Sequence, residues 1–447
     1  MTDIYLQNTL TGEKQKFEPI ETGKVSMYNC GPTVYDYAHI GNLRSYVFAD
    51  TLRRMFEYNT YQVNQVINIT DIGHLSGDAD DGEDKMTKAL KLEGKPLTLQ
   101  AMREVANFYF EKFKEDLNSL NIETPEHFPF ASDHIKEDIE LIQTLIDKSY
   151  TYTISDGIYF DTQKFPTYGK LGNISGDQSR IGLNPEKKNF RDFALWKFNS
   201  SLGYEAPFGK GFPGWHIECS AMSKKYLSQP FDIHTGGIDH IPVHHNDEIA
   251  QSEAAYDKPL ANYWLHNAFL IVDSGKMAKS EGNFITLNSL KEKGIDPMAL
   301  RYFYLTAHYS SPVNFSWEAL EGAQNAWKRL KEKVSELKDD TDETYKEEFL
   351  KLINDDLDTP KALALVWEMV KGGKNKKLIL EFDKVLGLKL NETEKIEIPE
   401  EVQKLIKERD KARNEKDFAK SDEIRKQIES HGFEVMDTAA GTKIEKK

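Results

Sequence analysis

A chain of 447 residues, 39% hydrophobic and 29% charged, has material for roughly two to four domains and the composition of a globular protein, which excludes a collagen-like or wholly disordered chain. Its longest apolar runs fall far short of a membrane span, and two cysteines do not make a disulfide framework, so a reducing cytoplasm is expected and a membrane partner is not. A formal net charge of -15 means that any nucleic-acid partner must meet a local basic surface, since the total charge repels it.

The opening stretch MTDIYLQNTLTGEKQKF lacks the charged, apolar and small-residue order of a secretory signal. Residues 25–29, Val25-Ser26-Met27-Tyr28-Asn29, read as a strand. Cys30-Gly31-Pro32-Thr33-Val34-Tyr35-Asp36-Tyr37-Ala38-His39-Ile40-Gly41-Asn42 follows, and a helical pattern with Phe48, Leu52 and Met55 on one face comes after it. Such a strand-to-helix turn is where an α/β sheet presents ligand-binding groups. Gly31 and Gly41 let backbone approach a ligand, and the helix N-terminus suits phosphate. Residues 63–69 form the next strand, so 25–70 reads as a parallel β-α-β unit opening a Rossmann-like sheet. The acidic loop at 77–84 lacks the oxygen spacing of an EF-hand. Residues 98–120 read as a helix with Met102, Val105, Phe108 and Phe113 among its apolar positions.

From 121 to 210 the character shifts to short strand-like pieces at 150–153 and 157–160 and a polar loop through Arg191, as in an insertion between two halves of a sheet. The α/β pattern resumes near Gly214 and runs to about Leu270, and a Gly/Lys/Ser loop follows at 274–283. Residues 287–337 read as helical, with Leu320, Ala323, Trp327, Leu330, Val334 and Leu337 at three–four spacing, and helices continue to about 385. A linker at 391–399 leads to a helical pair, 401–414 and 417–431, ending at Gly432.

Three groups of residues carry chemistry. Cys219 lies in GWHIECS at 214–220, followed by DIHTGGIDH at 232–240 and HHNDE at 244–248. A helix from 244 places His244 and Glu248 one turn apart on one face, close enough to share an ion. Two thiolates, an imidazole and a carboxylate suit zinc better than magnesium or calcium. Spacing leaves the set open, because Cys30 is distant in sequence, His216, His234, His240 and His245 are rival ligands, and two core cysteines beside a histidine-lined pocket would read the same way. Lys276 and Lys279, in Lys276-Met277-Ala278-Lys279-Ser280, can reach phosphates as point charges, although alone such a string is an ordinary solvated loop. Lys411, Arg413, Lys416, Lys420, Arg425 and Lys426 sit on the C-terminal helical pair, as a basic face for nucleic acid or a plain solvated one.

In combination these motifs are more specific. Ala38-His39-Ile40-Gly41-Asn42 and KMAKS at 276–280 resemble the HIGH and KMSKS pair of class I aminoacyl-tRNA synthetases, and the closer resemblance is to the cysteinyl-tRNA synthetase family. It is carried by YNCGPTVY at 28–35, GWHIECSAM at 214–222, DIHTGG at 232–237, HHNDEIAQ at 244–251 and DFAKSDEIR at 417–425. The fold it implies is α/β, a Rossmann-like parallel sheet catalytic domain with an inserted subdomain, followed by a C-terminal all-helical domain. Its parts would be the first catalytic half (1–120), a connective insert (121–210), the second half (211–270), a KMSKS-type loop with a helical junction (271–325), a helical bundle (326–390) and a tRNA anticodon-binding module (401–447).

The resemblance implies one zinc ion per chain on Cys30, Cys219, His244 and Glu248, with His240 and His245 outside the set. It implies ATP with Mg2+ bound by Gly31, Thr33, His39, Gly41, Asn42 and Lys279, and cysteine bound near Trp215 and Thr33. Catalysis would fall to His39, Asn42, Lys276 and Lys279. The implied activity is attachment of L-cysteine to tRNA(Cys) through a cysteinyl-adenylate, by a monomer. The alternatives are a cysteine ligase acting on a small amino-sugar acceptor and an inactive synthetase-like RNA-binding protein. Two departures from the family pattern stand out: Ala278 in place of the motif's serine, and Ile444 where many relatives carry a tryptophan that could stack on a base.

Overall fold

The computed structural model describes residues 3–73, 85–172, 184–272, 275–276, 284–339, 342–392, 399–438 and 441–446. They fall into two units, 1–390 and 391–447. A small antiparallel hairpin, β1 (Tyr5–Asn8) with β2 (Glu13–Lys16), opens the first unit. The main sheet then starts with β3 (Lys24–Asn29), α1 (Ile40–Tyr58) and β4 (Gln62–Ile67), the parallel β-α-β unit read from the sequence. Helices α2 (Lys85–Leu92), α3 (Leu99–Ser119) and α4 (Ile135–Asp147) follow. Next, β5 (Thr151–Ile154), β6 (Gly157–Phe160), β7 (Phe193–Phe198) and β8 (Gly211–Pro213) form a separate antiparallel sheet. The first sheet resumes through α5 (Trp215–Leu227), β9 (Phe231–Gly237), α6 (His244–Tyr256) and β10 (Ala261–Asn267).

The main sheet has the order β10-β9-β3-β4, all parallel. Such strands are covered on both faces by their crossover helices, and Val25, Met27, Tyr28, Val66, Phe231, Ile233 and Leu265 are buried accordingly. From the centre, β3 leads through α1 to one edge and β9 through α6 to the other. The two carboxyl ends therefore part at β3 and β9, and a topological switch point of this kind opens a ligand crevice.

A small sheet, β11 (Leu270–Val272), β12 (Gly275–Lys276) and β13 (Val313–Phe315), hangs beside the crevice, with α7 (Leu287–Glu292) and α8 (Pro297–Leu305) inside its connection. The stretch read as helical over 287–337 is thus interrupted by β13. Helices α9 (Trp317–Glu336), α10 (Thr344–Ile353), α11 (Thr359–Lys371) and α12 (Lys376–Leu386) complete the unit. Leu320, Ala323, Trp327, Leu330 and Val334 form the buried stripe of α9, as their spacing predicts. On α3, Met102, Val105 and Phe113 are buried, but Phe108 is 50% exposed, so its apolar character does not mark the core face.

The second unit holds α13 (Glu400–Asn414), α14 (Phe418–Ser430) and a hairpin of β14 (Phe433–Thr438) with β15 (Gly441–Lys446). The helical pair stands where the sequence places it. Beyond Gly432 the chain continues into this hairpin, where the sequence reading ends the unit with the helical pair; it adds Phe433 and Val435 to a small core of Val402, Ile424 and Ile428.

Candidate metal and nucleotide site

At the switch point lies a cleft of about 530 Å³. Cys30, Gly31 and Thr33 line it from the end of β3, Gly236 and Gly237 from the end of β9, and His39, Gly41 and Asn42 from the start of α1. Cys30 is registered against β9 by its N–H, which donates to Thr235 O at 3.1 Å. Cys219 sits on α5, and His244 and Glu248 stand one turn apart on α6. One donor atom from each of these four residues lies within 4.8 Å of the others. Cys219 Sγ is 3.6 Å from His244 Nε2, which is 3.0 Å from Glu248 Oε1. Glu248 Oε1 is buried and, beyond its ion-pair contact with His244, has no well-formed hydrogen bond, so donor lone pairs converge on one point. A buried acceptor left in this state is costly, and a cation at that point would relieve it.

The electrostatics agree. The hydrogen bond between the two thiols draws Cys219 down to about 6 against the effect of burial, with His244 helping. Burial and the same bond push Cys30 well up. Burial would raise Glu248, but His234 and His244 outweigh it and hold the carboxyl well below its usual range. Burial would lower His244, yet Glu248 and Cys219 bring it up to about 10. Protons held on this cluster are those a dication displaces when its ligands deprotonate.

A second layer orients the donors. His244 Nδ1 is 2.7 Å from His216 Nδ1, and His216 Nε2 is 3.3 Å from Asp247 Oδ2. The Tyr168 hydroxyl, from the inserted region, donates to Asp247 Oδ1 at 2.5 Å. Chains of this form fix the tautomer and tilt of a ligating imidazole. On the other side, Glu248 Oε2 is 2.8 Å from His234 Nε2. His245 Nε2 lies 3.3 Å from Cys30 Sγ, and its Nδ1 lies 2.7 Å from His266 Nε2.

Of the four rival histidines, His234 and His245 therefore belong to a second four-donor group that shares Cys30 and Glu248. His216 belongs to neither group and braces His244. His240 also belongs to neither; burial and His244 pull it down to about 4. Trp215, at the start of α5, covers the cluster from the cleft side, its ring centroid 4.3 Å from that of His244. Sequence reasoning missed Asp247, Tyr168 and His266. Only Asp247 left a signal, one position before Glu248 on the same helix.

The other end of the cleft is built on the N-terminus of α1. His39 is the N-cap: its Nδ1 accepts from the Asn42 N–H at 3.2 Å, and Asn42 Oδ1 accepts from the His39 N–H at 3.3 Å. This reciprocal capping box satisfies two otherwise open helix donors. Gly41 has no side chain because a Cβ would stand 2.9 Å from the His39 ring. At Gly31 a Cβ would fall 1.5 Å from Asn68 O, and the Gly31 N–H donates to Asn68 Oδ1 at 2.8 Å. Both glycines border the cleft, but each makes room for the protein's own atoms, where the sequence suggested room for a ligand. Past the lysine loop, Ile40 N–H donates to Ile285 O at 2.9 Å, His39 bridges to Thr286, and the Phe284 ring meets the His39 ring edge-on at 5.4 Å. On entry, Lys276 pairs with Ile271 across β11 and β12. Ala278 and Lys279 lie outside the described residues, as do the acidic 77–84 loop and the Lys276 side chain.

Comparison with known proteins gives a consistent result. Residues 16–325 match the family of tRNA synthetases class I (C) catalytic domains, and residues 396–444 match the cysteinyl-tRNA ligase anticodon binding domain. The chain is 45% identical to Cysteine--tRNA ligase 1 of Burkholderia lata, over 99% of this chain and 96% of that one. It is 41% identical to the Cysteine--tRNA ligase of Treponema denticola, over 98% and 99%. Among solved structures it resembles the methionyl-tRNA synthetase of Mycobacterium tuberculosis bound by methionyl-adenylate, with a TM-score of 0.57 and 15% identity, covering 82% of this chain and 88% of that one. The last likeness speaks for the fold alone.

Proposed function

The chain belongs to the cysteine--tRNA ligase family of class I tRNA synthetases, and from that premise we propose that it uses ATP to attach L-cysteine to tRNA(Cys), selecting the amino acid with one zinc ion on Cys30, Cys219, His244 and Glu248. The observation that carries the selection is the convergence of two sulfurs, one imidazole nitrogen and one carboxylate oxygen beneath Trp215. This set is favoured over the group with His234 and His245, because two thiolates suit zinc better than one. When bound, zinc supplies a soft Lewis acid that prefers a thiolate to a hydroxyl. Shape alone in an apolar pocket separates such close analogues by only about 1–3 kcal/mol.

The chemistry runs in two steps. A carboxylate oxygen of cysteine attacks the α-phosphorus of ATP, and the bond to pyrophosphate breaks. The terminal ribose hydroxyl of the tRNA then attacks the acyl carbon, and AMP leaves. No covalent nucleophile from the protein is needed. His39, held by Asn42 at the positive end of α1, and Lys276 and Lys279 stabilise charge as it develops on the phosphates. Thr33, Gly31 and Gly41 shape the cleft, Trp215 closes the amino-acid end, and Mg2+ travels with ATP. The 121–210 insert joins the two catalytic halves, and the C-terminal module meets the anticodon. The small-acceptor ligase and the inactive RNA-binding protein have no support from these comparisons, which match ligases along the whole chain and an anticodon-binding domain at its end. We place the enzyme in the cytoplasm as a monomer.

The test is cysteine-dependent ATP–pyrophosphate exchange, with serine as control, before and after zinc chelation, followed by tRNA charging. Exchange should need cysteine, fail after chelation and return with zinc. Absence of exchange from folded, zinc-loaded protein refutes the reading, and normal cysteine activation by Cys219→Ala refutes the ligand set.

A further inference from the structure

Two residues beyond the His39–Asn42 capping box, α1 carries a buried arginine that neither reaction step uses. Arg44 is 2% exposed. Its Nη1 donates to Ala268 O at 2.7 Å and to Phe269 O at 2.8 Å. Its Nη2 donates to Ser311 O at 2.6 Å, Tyr309 O at 3.2 Å and His308 O at 3.3 Å. All five acceptors are main-chain carbonyls, which belong to two different turns. One turn joins β10 to β11, and the other joins α8 to β13. Burial draws the guanidinium down to about 10, so it stays charged at neutral pH. A charged group is held in such a place only when fixed dipoles replace its water, and only the planar fork of arginine spans this many acceptors.

What these turns support gives the clamp its meaning. Ala268 and Phe269 line the same cleft as His39 and Asn42. The next residues form β11, which pairs with β12 at Gly275–Lys276 on one side and with β13 on the other. The turns are also sewn to each other: Ala268 N–H donates to Tyr309 O at 2.9 Å and Val313 N–H to Phe269 O at 3.2 Å. A second tie runs from the Tyr304 hydroxyl of α8 to Ile40 O. One side chain five residues after the N-cap His39 thus joins the start of α1 to the root of the hairpin that carries Lys276.

We propose that Arg44 is a positioning residue for adenylation, setting the separation between the α1 N-terminus and the root of the β11–β12 hairpin across the nucleotide end of the cleft. The inference rests on the ligase reading, and the wild-type exchange assay tests that reading first. The metal cluster is built on β3, α5 and α6, and none of its residues bonds to Arg44, so the amino-acid end should be insensitive to the clamp.

The experiment compares wild type with Arg44→Lys and Arg44→Gln in cysteine-dependent exchange, with rates normalised to the amount of folded chain. Misplacing reacting groups by about an ångström costs up to about 100-fold. Both variants should therefore lose about 10- to 100-fold in kcat and show a raised KM for ATP, while zinc content and KM for cysteine stay at wild-type values. A purely structural role would reduce the folded fraction and leave the normalised rate and KM for ATP unchanged, which would overturn the proposal. An equal rise in KM for cysteine would also overturn it, as would failure of both variants to fold, since Arg44 would then be a determinant of the fold. No exchange by the wild-type enzyme defeats the ligase reading itself.

Discussion

Gly31→Ala tests the link between backbone packing and the metal cluster. The added Cβ would stand 1.5 Å from Asn68 O and 2.6 Å from Asn68 C, both backbone atoms just beyond β4. No rotamer change relieves such a contact, so the ends of β3 and β4 must part by about 1.5 Å to reach even the closest approach real side chains tolerate. Parting would break the 2.8 Å bond from Gly31 N–H to Asn68 Oδ1 and carry the adjacent Cys30 away from its three partners. Overpacking of this kind costs about 1–3 kcal/mol, and a lost buried hydrogen bond adds about 1 kcal/mol. The expected result is a fall of about 2–4 kcal/mol in denaturant stability together with weaker zinc binding in a chelator competition. Gly322→Ala is the control, because nothing lies within 4 Å of a Cβ there and the site is interior to α9; it should be stabilising by about 0.5–1 kcal/mol. If Gly31→Ala keeps wild-type stability and zinc affinity, the glycine serves the ligand after all and the packing argument is wrong.

Asp50 is buried between Arg54 Nε at 2.7 Å and Arg301 Nη2 at 2.6 Å. Asp50→Ala strands a fully buried guanidinium and should cost about 3–5 kcal/mol in urea unfolding. Asn42→Ala removes one half of the His39 capping box and should cost about 1 kcal/mol, visible as a lower melting temperature with cysteine-site zinc unchanged. Burial raises the Asp116 carboxyl to about 6, above the usual carboxylate range. The native state then holds this proton more tightly than the unfolded chain does. The contribution to stability is therefore full below the unfolded value and is lost as pH rises through the folded one. Asp116→Asn should flatten that loss and gain on the order of 1 kcal/mol above pH 6; a variant whose stability falls in parallel with wild type across pH 4–7 would count against it.

Much of this protein was legible along the chain because its signals are local. The alternation in 25–29, the one-face apolar pattern through Phe48, Leu52 and Met55, and the i,i+4 pair His244 and Glu248 all depend on spacings a helix or strand imposes on near neighbours. The stripe on α9 and the helical pair of the C-terminal unit were readable for the same reason. Phe108 and the final hairpin were not, since burial depends on which neighbours arrive. The chain also carries the motif resemblance that nominated Cys30 with Cys219, His244 and Glu248, but the spacing of the residues left four rival histidines unranked.

Ranking them was the work of the tertiary structure. Parallel strands are joined by crossovers, so residues near 30, 219 and 244–248 meet only when β3 and β9 lie side by side. That pairing put His216 behind His244 and His234 against Glu248. It also brought Tyr168 to Asp247 from the inserted region. The same folding spent Gly31 and Gly41 on protein contacts and gave Arg44 its five carbonyls. A sequence specifies which atoms can bond. Which of them do is decided by backbone segments far apart in the chain, because close packing leaves each buried donor only the partners that the fold delivers.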